Sequence, residues 1–260
     1  MQVKEIKSGG YVKSLIRGLS ILEAFDRENP RLGITELSRK TGLAKSTVHR
    51  LVQTLCELGY VIVIEEKDKY ALGPRVMNLG FSVLSSLELR EVAGPYLMKL
   101  SSVIKETVNL AVLDKWQLTY VDRIKTQQIV NINLHIGSRL ELYNTSMGRV
   151  LAAFKDEDWY KKYLRYLRSI PEASDYWRNG GEKLSAILER VREKGYAINN
   201  EELAPGLRSV AAPVMNRSGQ VVGAVNIAVS SSRFSMKRLQ EELITPLRET
   251  TQIISAVMGY

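Results

Sequence analysis

Five hydrogen-bonding side chains stand close together near the start of one predicted helix, within the stretch TGLAKSTVHRLVQTLCELGY at residues 41–60. They are Lys45, Ser46, Thr47, His49 and Arg50. Arginine can grip guanine with two hydrogen bonds, and the hydroxyls and the imidazole can reach base edges or phosphates. The partly positive N-terminus of a helix also attracts phosphate. This pattern is typical of a helix that enters the DNA major groove, and the alternative is a solvated polar face.

The other side of the same helix is apolar. We predict a helix from about Lys45 to Leu58, ended by Gly59. Its apolar residues recur at the i, i+3, i+4, i+7 spacing and are Val48, Leu51, Val52 and Leu55. Such a stripe docks on neighbouring helices while the polar N-terminal turns stay exposed, as DNA recognition requires.

Enzymatic chemistry receives less support from the residue types. The chain has two histidines and one cysteine, far apart, and no HExxH, CxxC, P-loop or GxSxG pattern. His135 falls in a β-like run and is expected to be structural, and Cys56 is expected to behave as a small apolar residue. We therefore predict no enzyme activity, no cofactor and no metal site. One alternative stays open, because carboxylates that line a pocket can do acid–base work; the candidates are Asp122, Glu201 and Glu202.

The elements around the polar helix predict a winged helix-turn-helix domain over residues 1–74. A helix over residues 11–26 is followed by the break ENPRLG and by a short helix from Glu36 to Lys40 with Thr35 as its N-cap. Gly42 suits a tight turn. After the polar helix, YVIVIEEKDKYALG predicts two strands around a charged turn. Lys67 and Lys69 at this turn are candidates for contacts with the phosphate backbone, and the alternative is a turn that is charged for solubility.

The remaining chain predicts a helical connector at residues 75–105 and an α+β domain at residues 106–260. The β-like runs are VNLAVLD, QLTYVDR, IVNINLHIG, SVAAPVMN and QVVGAVNIAVS. Helical patterns lie between them and in a last helix from about Met236, which Pro246 should kink or restart. Thr145 and Ser146 precede a helix whose free N–H groups suit a carboxylate, although N-capping is the commoner role of such residues. Arg149 is expected to be exposed on that helix.

Composition limits the class of protein. The chain has 260 residues, 45% hydrophobic and 25% charged, as in ordinary globular proteins. The formal net charge is +9, and residues 1–50 hold ten Lys and Arg against five Asp and Glu, which favours a polyanionic partner. A single cysteine excludes an intrachain disulfide, and neither a signal peptide nor a run of about 20 apolar residues is seen. We therefore expect a cytoplasmic protein without a membrane partner.

Several long motifs resemble the IclR family of bacterial transcriptional regulators. In the first domain these are ITELSRKTGLAKSTVHRLVQTLCELGYV and KYALG, and in the second TSMGRVLAAF, GYAINNEELAPGLRSVAAPV and GQVVGAVNIAVS. The resemblance covers about residues 10–258. It implies an α+β fold in which the winged helix-turn-helix is joined by the connector to a GAF-like antiparallel-sheet effector domain.

The resemblance also implies a pocket for a small-molecule effector in the second domain. The family motifs carry this role over to Ser146, Met147, Asn199, Ser209, Asn226 and Ala228. Asn199 stands where an acidic residue is frequent in the family, and Ser209 where cysteine is frequent. Because these residues differ from the commoner choices, we name the expected effector only by its class, a small organic acid or a sugar-derived acid.

The expected partners are double-stranded DNA with a palindromic operator, the effector, and further copies of the chain. One recognition helix covers few base pairs, whereas two helices about 34 Å apart read a palindrome. The resemblance implies a homodimer or a homotetramer. The main alternative is a DNA-binding regulator whose second domain serves only oligomerisation.

Overall fold

The computed structural model describes residues 11–64, 68–85, 88–126 and 134–260. The chain divides into two compact units, residues 1–86 and residues 87–260, and each is described by itself below. The predicted helical stretch after Pro74 forms one helix in each unit. The proposed boundaries of a separate connector, residues 75–105, stay a prediction.

The described residues of the first unit form four helices and a two-stranded sheet. Its elements are α1 (Lys13–Glu23), α2 (Ile34–Thr41), α3 (Lys45–Glu57), β1 (Val61–Ile64), β2 (Lys69–Leu72) and α4 (Arg75–Ser85). α1, α2 and α3 pack on one another around an apolar core. That core consists of Ile21, Ala24, Phe25, Leu32, Leu37, Val48, Val52, Leu55 and Val61. Cys56 packs against it, as predicted for a small apolar residue.

The start of α2 differs from the prediction that Thr35 is its N-cap. α2 begins at Ile34 and its N-cap is Gly33. The side chain of Glu36 reaches back, and its Oε2 accepts a hydrogen bond from the Gly33 N–H at 2.7 Å. The glutamate carboxylate thus supplies a hydrogen-bond acceptor for a backbone N–H at the start of the helix, and the threonine hydroxyl is not needed for this. Gly42 ends α2 at a φ of 72°, as the predicted tight turn requires.

The strands after α3 form the predicted hairpin. β1 and β2 are antiparallel, and Val61 faces Leu72. A third segment, which the sequence analysis did not predict, joins this hairpin through a β-bridge. The backbone of Leu32 exchanges two hydrogen bonds with Tyr70. Arg75 donates a hydrogen bond to the Leu58 carbonyl at 2.8 Å, so the first residue of α4 is tied to the end of α3.

The second unit contains a six-stranded antiparallel sheet with helices on both faces. Its strands are β3 (Thr107–Asp114), β4 (Gln117–Ile124), β5 (Arg139–Glu141), β6 (Ala197–Asn200), β7 (Leu207–Met215) and β8 (Val221–Ser230). Its helices are α5 (Glu88–Ile104), α6 (Ser146–Ala153), α7 (Glu157–Leu167), α8 (Ser174–Trp177), α9 (Glu182–Lys194) and α10 (Met236–Val257). Short 3₁₀ turns flank α8 at Pro171–Ala173 and Asn179–Gly181.

The strand order is β5-β4-β3-β8-β7-β6. Ala111, Ala211 and Ala224 pack in the apolar cluster that includes residues of α6 and α9. Alternate residues of a strand point to opposite faces. The buried neighbours Leu110 and Val225 therefore face the other layer, which α5 and α10 form.

Most of the predicted elements of the second unit are confirmed, but five short elements were missed. The missed elements are β5, β6 and the short helices between residues 171 and 181. α10 continues through Pro246, so the predicted restart is wrong, and the alternative of a kink at this proline stays a prediction. In the predicted strand IVNINLHIG, residues 129–133 lie outside the described residues, and residues 134–137 form a loop. His135 is exposed in that loop, where a turn to Ser138 with Gly137 at a φ of 87° ends any strand.

Candidate functional site

The N-terminal half of α3 presents its polar residues to solvent. Lys45, Ser46, His49 and Arg50 are exposed, and Thr47 is half-buried. On the opposite side, Val48 and Val52 are fully buried against α1 and α2. In the part of the chain that the structure describes, no carboxylate pairs with Lys45 or Arg50. The charge of this surface is therefore available to an anionic partner.

The hairpin of β1 and β2, which we call the wing, contains one described lysine that was proposed for DNA contact. Lys69 is the first residue of β2, and its Nζ lies 3.4 Å from Glu36 Oε2, the carboxylate that caps α2. This pair is more than one third exposed and is expected to contribute little to stability, so a phosphate can compete for the lysine. Lys67 lies outside the described residues.

A cavity of about 200 Å³ lies in the second unit, between the sheet and the N-terminus of α6. All seven residues proposed to contact an effector line this one cavity: Thr145, Ser146, Met147, Asn199, Ser209, Asn226 and Ala228. They come from four elements and the loop before α6, spread over more than 80 positions of sequence. The volume corresponds to about seven water molecules at liquid density, which suits a small metabolite.

The start of α6 shapes one wall of the cavity. Thr145 is its N-cap, and the Thr145 hydroxyl accepts a hydrogen bond from the Gly148 N–H at 3.2 Å. The hydroxyls of Ser146 and Ser209 are 2.7 Å apart and join α6 to β7. In the described part of the chain, the N–H groups of Ser146 and Met147 have no acceptor. They are available to an anionic oxygen, and the helix dipole favours one there.

Two asparagines lie side by side on the sheet beneath α6. Asn109 of β3 and Asn226 of β8 are direct pairing partners, and Asn109 Nδ2 donates to Asn226 Oδ1 at 2.7 Å. Asn109 is only 1% exposed, and its Oδ1 has no hydrogen-bond partner among the described residues. Rotating both amides exchanges the roles of the two residues and still leaves one amide oxygen unused.

Asn199 has a structural role beside its position in the cavity wall. Its Nδ2 donates to the Asn144 carbonyl at 2.6 Å and so holds the residue that precedes Thr145. The side chain is buried. A neutral amide can make this bond, whereas an ionised carboxylate, which the family resemblance leads one to expect here, can only accept hydrogen bonds.

A β-bulge directs Arg123 into the cavity. Ala111 pairs with Tyr120 and Leu110 with Asp122, so Val121 is an extra residue in β4. Under strict alternation, Arg123 and Tyr120 would lie on opposite faces of the sheet. The bulge puts both of them on the cavity face.

Arg123 brings a positive charge that forms no ion pair with a carboxylate of the described residues. Burial lowers the pKa of Arg123, but a guanidinium stays protonated in proteins because its ordinary pKa exceeds 12. Its Nε is buried and has no hydrogen-bond partner within the described residues. Burial also raises the pKa of Tyr120 to about 12, so the hydroxyl of this neighbour stays protonated. The cavity therefore favours a negatively charged guest.

The three carboxylates considered for acid–base work do not line this cavity. Glu201 pairs with Arg208, and Glu202 pairs with Arg149. Asp122 accepts a hydrogen bond from the Arg123 N–H at 2.8 Å. Among the described residues, no three His, Cys, Asp or Glu side chains form a group suited to a metal ion.

Arg149 is buried, which contradicts its prediction as an exposed helix residue. It is 4% exposed, and its guanidinium donates to the carbonyls of Tyr143 and Ile198 and to the Glu202 carboxylate. Burial alone would raise the pKa of Glu202, but the bonds from Arg149 outweigh it and lower the pKa. Arg149 thus joins α6 to the loop after β6, which carries the cavity residue Leu203.

Family models of known proteins match both parts of the chain. Residues 14–62 match the family described as the IclR helix-turn-helix domain, and residues 81–256 match the family described as the bacterial transcriptional regulator IclR C-terminal. The chain belongs to the IclR family of bacterial transcriptional regulators. The family prediction and the fold prediction, a helix-turn-helix domain followed by an α+β domain with an antiparallel sheet, are confirmed, whereas the likeness to a GAF domain stays a prediction.

Similar proteins cover almost the whole of this IclR-family chain. The HTH-type transcriptional regulator KdgR of Escherichia coli (strain K12) is 37% identical over 96% of this chain and 94% of its own length. The Pca regulon regulatory protein of Pseudomonas putida is 33% identical over 90% of this chain and 80% of its own length. The crystal structure of a putative transcriptional regulator from Rhodococcus sp. RHA1 shares 39% identity at a TM-score of 0.80, over 96% of this chain and 99% of that one.

Sequence reasoning missed the cavity residues of β3 and β4 in this IclR-family protein. Asn109, Arg123 and Thr126 line the cavity, and none belongs to the motifs that carried the family resemblance. The alternation of β3 places Asn109 on the inner face, but the bulge in β4 is not visible in the sequence.

No helix of the described residues is long and apolar enough to cross a bilayer.

Proposed function

We propose that this regulator binds operator DNA through α3 and adjusts that binding to a small organic acid or related metabolite held in the cavity of the second unit. The observation that supports this proposal is a single cavity whose walls favour an anion. All seven residues that the sequence analysis proposed for effector binding line it. A ligand changes DNA affinity only when it binds two conformations with different strength. We propose the helical stretch at residues 75–105 as the element that transmits this difference.

The proposed DNA contacts are the exposed polar residues of α3, supported by the wing. Arg50 and His49 lie one helical turn further along α3 than Lys45 and Ser46, so together they present a polar surface about two turns long. We assign base reading mainly to Arg50 and phosphate contact to Lys45. Thr47, Lys67 and Lys69 complete the proposed set.

We further propose a homodimer or a homotetramer that reads a palindromic operator in the cytoplasm. The first unit exposes Leu15 and Leu19 on α1 and Met77 and Leu79 on α4, each more than half exposed. Single exposed apolar residues are common, but pairs of them on two helices of one small unit favour a contact between copies. Dimerisation would supply the second recognition helix.

The first test measures DNA binding by the full chain. An operator is selected from a random DNA library, and its affinity is compared for wild type, Arg50→Ala and Arg31→Ala. Arg31 is exposed in the same unit but lies outside α3, so it controls for the loss of one charge. Arg50→Ala is expected to lose roughly 5- to 150-fold in affinity for the selected site, because a bidentate base contact discriminates by about 1–3 kcal/mol. Equal losses in both variants, or no enriched operator, would contradict the DNA assignment.

The second test asks whether the cavity senses a ligand. The full chain is heated with a panel of aliphatic, keto, sugar and aromatic acids, because a ligand at 100 times its Kd stabilises the native state by about 2.7 kcal/mol. Each hit is then added to the DNA-binding measurement, where a change in operator affinity is expected. Stabilisation by no acid would favour a second unit that serves only oligomerisation. DNA binding would then stand without the sensor.

A further inference from the structure

Three buried polar atoms without partners among the described residues belong to side chains that line the cavity. They are Asn109 Oδ1, Arg123 Nε and Thr126 Oγ1, which have no hydrogen-bond partner among the described residues. We call Asn109, Arg123 and Thr126 the Arg123 cluster. All three residues line the cavity, away from the motifs that first indicated it.

The pairing of β3 with β4 places the cluster members next to one another. Asn109 and Arg123 are direct partners across the two strands, so their side chains project from the same face. The Thr126 N–H donates to Thr107 Oγ1 at 3.4 Å, which holds Thr126 beside the residue two positions before Asn109. The cluster therefore lies where β3 begins and β4 ends.

The three atoms need two different chemical groups as hydrogen-bond partners. Arg123 Nε is a charged donor and is satisfied by a carboxylate oxygen. Asn109 Oδ1 only accepts, and so does an ionised carboxylate, so a carboxylate cannot satisfy the asparagine. A hydroxyl group donates to Asn109, and the Thr126 hydroxyl can bond either group. An unsatisfied buried acceptor is costly, so a ligand with a hydroxyl is favoured over the same ligand without it.

We propose that the Arg123 cluster recognises the carboxylate and a hydroxyl of a hydroxylated aliphatic acid, with Arg123 selecting the acid and Asn109 selecting the hydroxyl. This inference rests on the proposed function, in which the second unit binds a small acid, and it names the chemical class of that acid. The remaining cavity wall fits such a chain. Ser146 and Ser209 offer hydroxyls for further hydroxyl groups of the ligand, and Leu203 and Leu207 lie against its carbon atoms.

The test compares acids that differ only in hydroxyl groups, using calorimetric titration of the full chain. The aliphatic pairs are gluconate with hexanoate, malate with succinate, and 2- or 4-hydroxybutyrate with butyrate. A fourth pair, 4-hydroxybenzoate with benzoate, makes the same comparison for aromatic acids. In at least one aliphatic pair the hydroxylated member is expected to bind wild type about tenfold more tightly. Neither aromatic acid is expected to bind as tightly as that member.

Two variants separate the roles within the cluster. Asn109→Leu is expected to reduce the preference for the hydroxylated member to near unity while leaving the affinity for its partner acid nearly unchanged. Arg123→Gln is expected to weaken both members of each pair by a similar factor, roughly 10- to 100-fold, because a charge-assisted bond is lost. Arg139→Gln is the matched control, since Arg139 is an exposed arginine on the neighbouring strand outside the cavity and should leave both affinities unchanged.

The outcomes distinguish this inference from the proposed function. If acids bind without a hydroxyl preference, or if Asn109→Leu keeps the preference, the inference is overturned and the sensor stands. The same holds if an aromatic acid binds most tightly. If no acid binds, the sensor itself fails and the inference fails with it. If Asn109→Leu does not fold, the single variants Thr126→Val and Arg123→Gln test the same cluster. If both variants keep the full affinity for the acids and the full preference for the hydroxylated member, the inference is overturned.

Discussion

The polar surface of α3 and the cavity of the second unit are both built from hydrogen-bonding side chains, but they are assembled in different ways. On α3 the polar residues are neighbours in sequence, exposed to solvent and outside ion pairs with the described carboxylates. In the cavity they come from separated strands and from α6, they are mostly buried, and many bond one another.

This difference has consequences for stability. An exposed polar side chain on a helix keeps its water when unbound, so replacing it costs the fold little. A buried polar group must be paired, so each change in the cavity wall affects folding as well as binding. Variants of α3 are therefore expected to report on DNA affinity alone, whereas most variants near the cavity change two quantities together.

The largest effect is expected from Gly148→Ala. A Cβ at Gly148 would lie 2.3 Å from the Leu142 Cα and 2.5 Å from the Leu142 carbonyl oxygen, and these backbone atoms have no room to move aside. We expect the free energy of unfolding of the second unit to fall by about 3 kcal/mol or more, and acid binding to be lost, as measured by thermal and chemical denaturation.

Gly94→Ala is the matched control in the same unit. Gly94 lies inside α5, and a Cβ there meets nothing within 4 Å, so alanine should stabilise the helix by up to about 1 kcal/mol. Equal stability of the two variants would show that α6 and its preceding loop are not tightly packed. A parallel loss of DNA binding in Gly148→Ala would show that the two regions are not independent.

A smaller effect is expected from Glu202→Gln, and it depends on pH. Because Arg149 lowers the pKa of Glu202 in the folded chain, the ion pair stabilises the fold above the ordinary glutamate pKa of about 4.3. This stabilisation is lost as the pH falls through the lowered pKa. Since about one third of the Glu202 side chain is exposed, we expect a loss of only about 1–2 kcal/mol near neutral pH.

Denaturation of wild type and Glu202→Gln between pH 3 and pH 7 measures this difference, which should shrink below about pH 4. Asp26→Asn is the comparison in the first unit. The pKa of Asp26 is also lowered, mainly by Lys40, but about half of the Asp26 side chain is exposed. We expect Asp26→Asn to change stability less than Glu202→Gln. The reverse order would contradict the distinction between an exposed and a buried polar region.

The smallest effect is expected from Lys69→Ala in the wing. If Lys69 touches a phosphate, its loss should weaken binding to all DNA sequences alike by less than tenfold and reduce the salt dependence of binding by about one charge. Affinity measured over a salt series tests this, with Lys237→Ala on the exposed face of α10 as the control. A sequence-dependent loss would instead indicate that the wing reads bases.

The sequence predicted the first unit more completely than the second, because its signals are local. The apolar spacing of Val48, Val52 and Leu55 defined α3 and its buried face. Gly42 and Gly59 marked its two neighbouring turns, and both adopt a positive φ. The one error of detail, Thr35 as the N-cap of α2, arose because Glu36 performs the capping from inside the helix.

The amino-acid sequence by itself determined the order of the longer elements, the family and the seven residues first proposed to line a cavity. The tertiary structure alone decided which further residues join them. An extra residue in β4 reverses the alternation that sequence reasoning assumes, so Arg123 enters the cavity although its position in the strand predicts the opposite face. Burial of Arg149 depends in the same way on a glutamate 53 positions later. Both outcomes depend on contacts between strands and loops that are distant in sequence, and such contacts leave no periodic signal in the chain.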